Sequence, residues 1–118
     1  MFVNFSNHPI AKWSEKQKEE ARRYGEVVDV HFPYVSPEAS GRKVKEIAAG
    51  YVEQIMSLHP QCVLCQGEFC VSYHVITALK ENGITVVAAC SERRAEEIRH
   101  GNEMKKISKF SFVQFREY

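Results

Sequence analysis

Short apolar runs alternate along this chain with segments whose apolar residues recur every three or four positions. This order predicts β-α-β units, in which helices pack against a mainly parallel sheet. The predicted strands are Met1–Phe5, Glu26–Phe32, Cys62–Cys65 and Ile84–Cys90, and the predicted helices run from about Ser14 to Tyr24, from Val44 to Leu58 and from Phe69 to Glu81. The sequence therefore predicts an α/β fold with flanking helices.

The C-terminal stretch changes to a period of two and predicts a β-hairpin. Its strands are Glu96–Arg99 and Lys105–Phe115, joined by the turn His100–Asn102. The Phe-rich last strand needs cover, either from its own domain or from a second copy of the chain. Of the earlier strands, Glu26–Phe32 has a partly polar face and is expected at or near a sheet edge. Cys62–Cys65 is wholly apolar, as a central parallel strand should be.

Length and charge limit the partners that this chain is expected to have. Its 118 residues and 44% hydrophobic content predict one domain over residues 1–118. A formal net charge of +1 gives no global field to hold bulk DNA, bulk RNA or an acidic membrane, so an anionic ligand needs a local site. The chain start lacks a secretory pattern and no apolar stretch approaches about 18 residues, so we expect a cytoplasmic protein.

Four cysteines raise the question of a metal site or of disulfides. Cys62 and Cys65 have the two-residue spacing of a zinc knuckle. They lie within a predicted strand, however, where residues three apart point to opposite faces and cannot both face one metal. Cys62, Cys65 and Cys90 are therefore expected as small core residues in a reducing compartment, and neither metal nor cofactor is expected.

Polar residues follow the first, third and fourth predicted strands. The three segments are Ser6–His8, Gln66–Glu68 and Ser91–Arg94. The carboxyl ends of parallel strands share one sheet edge, where ligands bind beside helix N-termini. We therefore expect the three loops to converge on a polar ligand site. Within it, the consecutive guanidinium groups of Arg93 and Arg94 are suited to clamping phosphate bidentately.

Each of these residues also has a structural interpretation. Ser6, Asn7 and Ser91 are residue types that cap helices and turns. Gly67 could serve only to permit a tight turn, and Glu68 could be a carboxylate that stabilises the first turn of a helix.

Two further residues of the first loop region leave the same choice open. His8 is either an ordinary loop histidine or a ligand-binding or catalytic group. Trp13 either packs as a hydrophobic staple or stacks on a nucleobase. The sequence has no G-x-G-x-x-G after strand 1, no G-x-x-x-x-G-K-[ST] and no H-E-x-x-H, which disfavours a classical dehydrogenase, an NTPase and a zinc protease.

Three stretches resemble the small stand-alone CRISPR-associated Rossmann-fold proteins found beside type III CRISPR systems. They are Asn4–Pro9 together with Trp13 and Gln17, then Gln66–Glu68, and finally Ala88–Arg94. The resemblance covers nearly the whole chain and implies a Rossmann-like fold. It also implies a homodimer that binds a cyclic oligoadenylate second messenger across its two-fold axis.

The resemblance further implies a ring nuclease, which linearises cyclic tetra-adenylate and so switches off the antiviral response. Such cleavage needs no metal, because a ribose 2′-hydroxyl attacks the adjacent phosphate. His8 is then the candidate general acid or base, and Arg93, with Ser91 beside it, belongs to the catalytic set that stabilises developing charge. The ligand-binding residues that it implies are Ser6, Asn7, Trp13, Gln66, Gly67, Glu68, Glu92 and Arg94.

Two other functions are compatible with the same sequence. One is a module or sponge that binds the cyclic oligonucleotide without cleaving it. The other is a protein-interaction domain whose Phe-rich last strand docks a partner by edge pairing.

Overall fold

The computed structural model describes residues 1–118 as five strands and three α-helices. In chain order these are β1 (Phe2–Ser6), α1 (Glu15–Arg22), β2 (Val27–Asp29), α2 (Gly41–Met56), β3 (Cys62–Gln66), α3 (Phe69–Glu81), β4 (Thr85–His100) and β5 (Glu103–Glu117). A short 3-10 turn, Ile10–Lys12, lies between β1 and α1. None of the helices is long and apolar enough to cross a membrane.

The five strands form one sheet in the order β2-β1-β3-β4-β5. The first four are parallel, and β5 runs antiparallel to β4. This confirms the α/β prediction with a C-terminal hairpin, the edge position of β2 and the central position of β3. The chain leaves β1 toward β2 on one side and returns to β3 on the other, so the strand order reverses between β1 and β3.

The two faces of the sheet carry separate apolar clusters. Phe2 and Leu64 pack with Trp13 and Ala21 on the face that α1 covers. Neighbouring residues in each strand point the other way, toward the larger cluster beneath α2 and α3. Because the faces alternate, each strand of the middle of the sheet is buried on both sides, as a parallel sheet requires.

Cys62 and Cys65 show the same alternation. Both are fully buried, but Cys62 belongs to the cluster under α1 and Cys65 to the cluster under α2 and α3. Their predicted separation onto opposite faces is confirmed. Burial raises the pKa of each thiol to about 12, so neither is a thiolate nucleophile near neutral pH.

The helix boundaries differ from prediction by a few residues because of local capping. At α1 the Ser14 hydroxyl accepts from the Gln17 N–H at 3.2 Å, which confirms the predicted start. The helix ends at Arg22, two residues early, and the chain turns through Gly25 with φ of 100°. α2 starts at Gly41, before the predicted Val44, because the Ser40 side chain caps it.

β2 is shorter than the predicted span of Glu26–Phe32. Pairing with β1 ends where Asn4 meets Asp29. The Asp29 carboxylate then accepts hydrogen bonds from the Asn4 side chain and the Ile10 N–H. The chain leaves the sheet after Val30, whose N–H donates to the Asn4 carbonyl.

β4 does not end at Cys90, so the predicted loop Ser91–Arg94 was wrong. The strand continues to His100 and pairs with β5 throughout. Together, Ser91–His100 and Glu103–Phe112 form a two-stranded ribbon that projects beyond the sheet, which we call the arm. The radius of gyration is 16.8 Å, against about 13.5 Å for a compact chain of this length, because the arm extends the molecule to 55 Å.

Candidate functional site

A cleft of about 460 Å³ opens where the strand order reverses, at the carboxyl ends of β1 and β3. Ser6 and Gln66 are register partners at this point. In doubly wound sheets this switch point is where ligands bind. The position of the cleft therefore agrees with the predicted site at the strand ends.

The lining of the cleft combines polar and aromatic side chains. Its polar members are Ser6, His8, Lys12, Ser14, Gln17, Gln66 and Ser91. Trp13, Phe110 and Phe112 add aromatic surface. Lys12 carries the only permanent charge, and no carboxylate lines the cleft. This balance favours an anionic ligand with flat apolar groups.

A buried polar network fixes the loop that follows β1. Asn4, 1% exposed, lies on the same face of β1 as Ser6. Its Nδ2 donates to the His8 carbonyl and to the Asp29 carboxylate, each at 2.8 Å. Its Oδ1 accepts from the Ser6 hydroxyl at 2.7 Å. The strand end and the loop are thus tied together without any ligand.

His8 is held by its main chain rather than by its ring. Its carbonyl accepts from the Trp13 indole N–H at 2.9 Å as well as from Asn4, and its N–H donates to the Ser6 hydroxyl at 3.2 Å. The residue is exposed and lines the cleft. The imidazole therefore stands on a fixed backbone with its ring nitrogens free of hydrogen bonds within the chain.

Trp13 is a packing residue, but not as the predicted hydrophobic staple, because the fourth residue of α1 is Lys18 and the ring neighbours of Trp13 lie on β1 and β5. It is 7% exposed, and its ring lies 6.2 Å from that of Phe2, edge-on, and 6.3 Å from that of Phe115. With its N–H bonded to His8, the indole forms a wall of the cleft.

Gln66 bridges two strands at the floor of the cleft. Register pairing between β3 and β4 ends at Leu64 and Val87. Beyond it, the Gln66 Oε1 accepts from the Ala89 N–H at 2.7 Å, and its Nε2 donates to the Ala89 carbonyl at 3.5 Å. The amide is thus already engaged within the protein.

Gly67 and Glu68 lie outside this cleft. A Cβ on Gly67 would meet the Phe32 ring at 2.5 Å, so the glycine permits close packing. Glu68 caps α3 by accepting from the N–H groups of Val71 and Cys70, at 2.8 and 2.9 Å. These hydrogen bonds lower the pKa of the Glu68 carboxyl, and the bond from Val71 has the largest effect. For Glu68 the helix-stabilising interpretation is the one that the structure bears out.

The charged residues after Cys90 belong to a strand of the arm rather than to a loop, and none of Glu92, Arg93 and Arg94 lines the cleft. Consecutive residues of a strand point to opposite faces, so Arg93 and Arg94 cannot clamp one phosphate together. Arg93 donates to the Ser108 hydroxyl at 3.1 Å, and Arg94 pairs with Glu92 at 3.5 Å. Asn7, although next to the network, is exposed and does not line the cleft.

Several lining residues were missed from the sequence. Lys12, rather than Arg93 or Arg94, is the cation that lines the cleft. The sequence indicates this only through the position of Lys12 between Pro9 and Ser14, in the same loop as His8. Phe110 and Phe112 reach the cleft because β5 folds back along β4. Asn4 could have been singled out as a polar residue inside an apolar strand, where a buried amide needs partners.

A second and larger groove, of about 670 Å³, lies on the opposite face of the sheet beside α3. Phe69 and Tyr73, 88% and 66% exposed, form its outer side. The Tyr118 hydroxyl closes one end by donating to the Cys65 carbonyl at 2.7 Å. Gln66 borders both the groove and the cleft.

The fold and the cleft define a doubly wound α/β protein with basic and aromatic lining at its switch point. The chain belongs to the uncharacterized protein MJ1673 family, whose model matches residues 1–116. No curated protein matches the sequence significantly. Because the family match runs from β1 almost to the end of β5, the arm falls within it.

Proposed function

We propose that this protein binds cyclic oligoadenylate, with cyclic tetra-adenylate as the first candidate, and linearises it as a ring nuclease of type III CRISPR signalling. The observation that carries the proposal is the switch-point cleft, where His8, Lys12 and Ser91 stand beside aromatic rings. Phosphate, ribose and adenine would each meet a suitable group there. The four free cysteines support a reducing compartment, and we propose the cytoplasm.

The chemistry needs a proton acceptor and a cation. In the proposed step a ribose 2′-hydroxyl attacks the adjacent phosphorus, and its proton passes to the His8 imidazole. The P–O5′ bond breaks, the 5′-oxygen takes up a proton from water, and a 2′,3′-cyclic phosphate remains, after which the His8 imidazole returns its proton to solvent. The Lys12 ammonium offsets charge that develops on the phosphoryl oxygens. Arg93 does not line the cleft but is the register partner of Phe110, which does, so it would contact a ligand that extends along the arm.

A second candidate is a binding module or sponge that holds the ring without cleaving it. The hydroxyl of Ser6 and the amide of Gln66 are already bonded within the protein. His8 is then the one imidazole that lines the cleft, and no carboxylate lines it beside His8. The lack of a second group for proton transfer is the observation that supports this second candidate.

The test is incubation with cyclic tetra-adenylate in EDTA, followed by chromatography of the products. We expect linear products with 2′,3′-cyclic phosphate ends. His8→Ala should lower the cleavage rate by roughly 100-fold while the ring still binds. Lys12→Ala should weaken binding, whereas Lys16→Ala, at an exposed position of α1 that does not line the cleft, should change neither.

The outcomes separate the candidates. An intact ring that binds tightly and stoichiometrically points to the sponge. A ring that neither binds nor breaks refutes both and leaves a protein-interaction domain, for which the exposed apolar residues of the arm are the support.

A further inference from the structure

The outer edge of β4 has no neighbouring strand along the arm. Pairing with β3 ends at Val87, and the Gln66 side chain forms hydrogen bonds with the backbone N–H and carbonyl of Ala89. From Ser91 to His100, β4 pairs with β5 on one side only. A two-stranded ribbon is marginally stable alone, and an open edge is a template for another strand.

The charges along this edge are ordered in a self-complementary way. Arg93-Arg94-Ala95-Glu96-Glu97 places two cations before a small residue and two anions after it. An antiparallel copy related by a two-fold axis at Ala95 sets Arg93 opposite Glu97 and Arg94 opposite Glu96. Both pairs occur twice, so four pairs of opposite charge form across the axis.

Neighbouring registers lose this match. With the axis at Arg94, Glu92 stands opposite Glu96. With the axis at Glu96, Arg93 stands opposite Arg99. Like charges directly opposite each other destabilise a strand pair, so the sequence selects Ala95 as the centre.

The arm can release these side chains for a partner. Arg93 and Glu97 form no ion pair within the chain. Arg94 and Glu96 form only exposed ones, with Glu92 at 3.5 Å and with Lys109 at 3.4 Å. Exposed pairs of this kind contribute little to stability, so exchanging them for contacts with a partner has a small cost.

We propose that two copies of this chain associate by antiparallel pairing of their β4 edges, centred on Ala95. The result is a continuous four-stranded ribbon in the order β5-β4-β4-β5. The occupant is a second copy because the charge pattern is complementary to itself. Exposed apolar residues of the arm, among them Ile98 at 42% and Met104 at 59%, would then lie on a wider sheet.

The pairing also adds a residue to the cleft. In this register Arg99 stands opposite Ser91 of the partner subunit, and paired residues share a face. Ser91 lies on the cleft face, opposite Phe112. Each subunit thus places a guanidinium beside the cleft of the other, which the arginines of the same chain do not reach.

Disulfide trapping tests the register. In a chain carrying Cys70→Ser and Cys90→Ser, Ala95→Cys brings two cysteines to Cα separations near 5 Å across the axis, within the range of a disulfide. We expect a covalent dimer under mild oxidation. Glu97→Cys is the matched control, because two copies stand roughly 14 Å apart in this register, but mixing it with Arg93→Cys should yield a crosslinked heterodimer.

Charge reversal tests the interface. Arg93→Glu with Arg94→Glu should raise the dimer dissociation constant by on the order of 100-fold or more, and Glu96→Arg with Glu97→Arg should do the same. A 1:1 mixture of the two variants should associate, and the fourfold swap should restore the homodimer. Sedimentation of each variant, with circular dichroism to confirm folding, gives the result.

Three results would overturn the proposal: a monomeric wild type, no crosslink in the Ala95→Cys variant, or a fourfold swap that does not restore association. None of them depends on the ligand of the cleft. Failure of the interface and failure of the proposed nuclease activity are therefore distinguishable.

Discussion

Replacement of Asn4 by Ala is the most direct test of how the loop after β1 is held. Three hydrogen bonds of this buried side chain disappear, two to the loop and the strand end and one to Asp29. A typical protein hydrogen bond contributes about 0.5–1.5 kcal/mol net. The bond to Asp29 belongs at the low end, because that carboxylate is exposed. The expected loss is about 3 kcal/mol.

This loss corresponds to a measurable shift in melting temperature. For 118 residues the unfolding entropy is about 0.25 kcal/mol/K, so about 3 kcal/mol lowers Tm by about 12 °C. Urea unfolding followed by tryptophan fluorescence suits the measurement, because Trp13 is the only tryptophan and bonds to the same carbonyl as Asn4. Asn7→Ala is the matched control and should stay within about 0.5 kcal/mol of wild type.

A change below about 1 kcal/mol for Asn4→Ala would refute this reasoning. It would mean that water replaces the amide without loss, and that the bonds of His8 to Trp13 and Ser6 are enough to hold the loop.

Three further predictions concern two glycines, the Glu68 cap of α3 and the reactivity of the cysteines. Gly67→Ala should lower the free energy of unfolding by about 1–3 kcal/mol, because the added Cβ would meet the Phe32 ring at 2.5 Å. Gly50 lies inside α2 with open space around it. Gly50→Ala should therefore raise the free energy of unfolding by about 0.5–1 kcal/mol in the same urea titration. Glu68→Ala should cost about 0.5–2 kcal/mol at pH 7. Hydrogen bonds to the backbone lower the pKa of Glu68 in the folded protein. The stabilisation is therefore present above the unfolded pKa of about 4.3 and is lost as pH falls through the folded pKa. The mutant and wild-type stabilities should converge in acid, and a constant difference down to about pH 2 would contradict this prediction. In native protein a thiol reagent should label exposed Cys70 first and the two buried thiols of β3 only on unfolding; equal labelling of all would contradict the described core.

The sheet could be predicted because buried parallel strands have an apolar signature on both faces. Strand β3 and the first half of β4 have this signature. It also predicts that Cys62 and Cys65 are buried on opposite faces of the sheet, as they are in the structure. The end of β4 could not be predicted the same way. Its residues from Ser91 to His100 are all exposed, so polar residues after Cys90 do not stop the strand, and only pairing with β5 continues it.

The candidate site was predictable to the extent that it follows the strand ends. Ser6, His8, Gln66 and Ser91 come together in the cleft because strands β1, β3 and β4 are neighbours. The two arginines of the predicted phosphate clamp are not brought together, because the prediction assumed a loop at Arg93 where the structure has a strand. Lys12 was missed because it lies in a connecting turn, whose path depends on the buried bonds of Asn4.

The side-chain bridge from Gln66 to Ala89 determines how far apart two strands stand at the cleft. Where backbone pairing has ended, the amide acts as a spacer of fixed length between β3 and β4. Asparagine is one methylene shorter and would draw the strands together, and glutamate would oppose the Ala89 carbonyl and push them apart. The width of the cleft at this point therefore depends on the length and charge of the side chain at position 66.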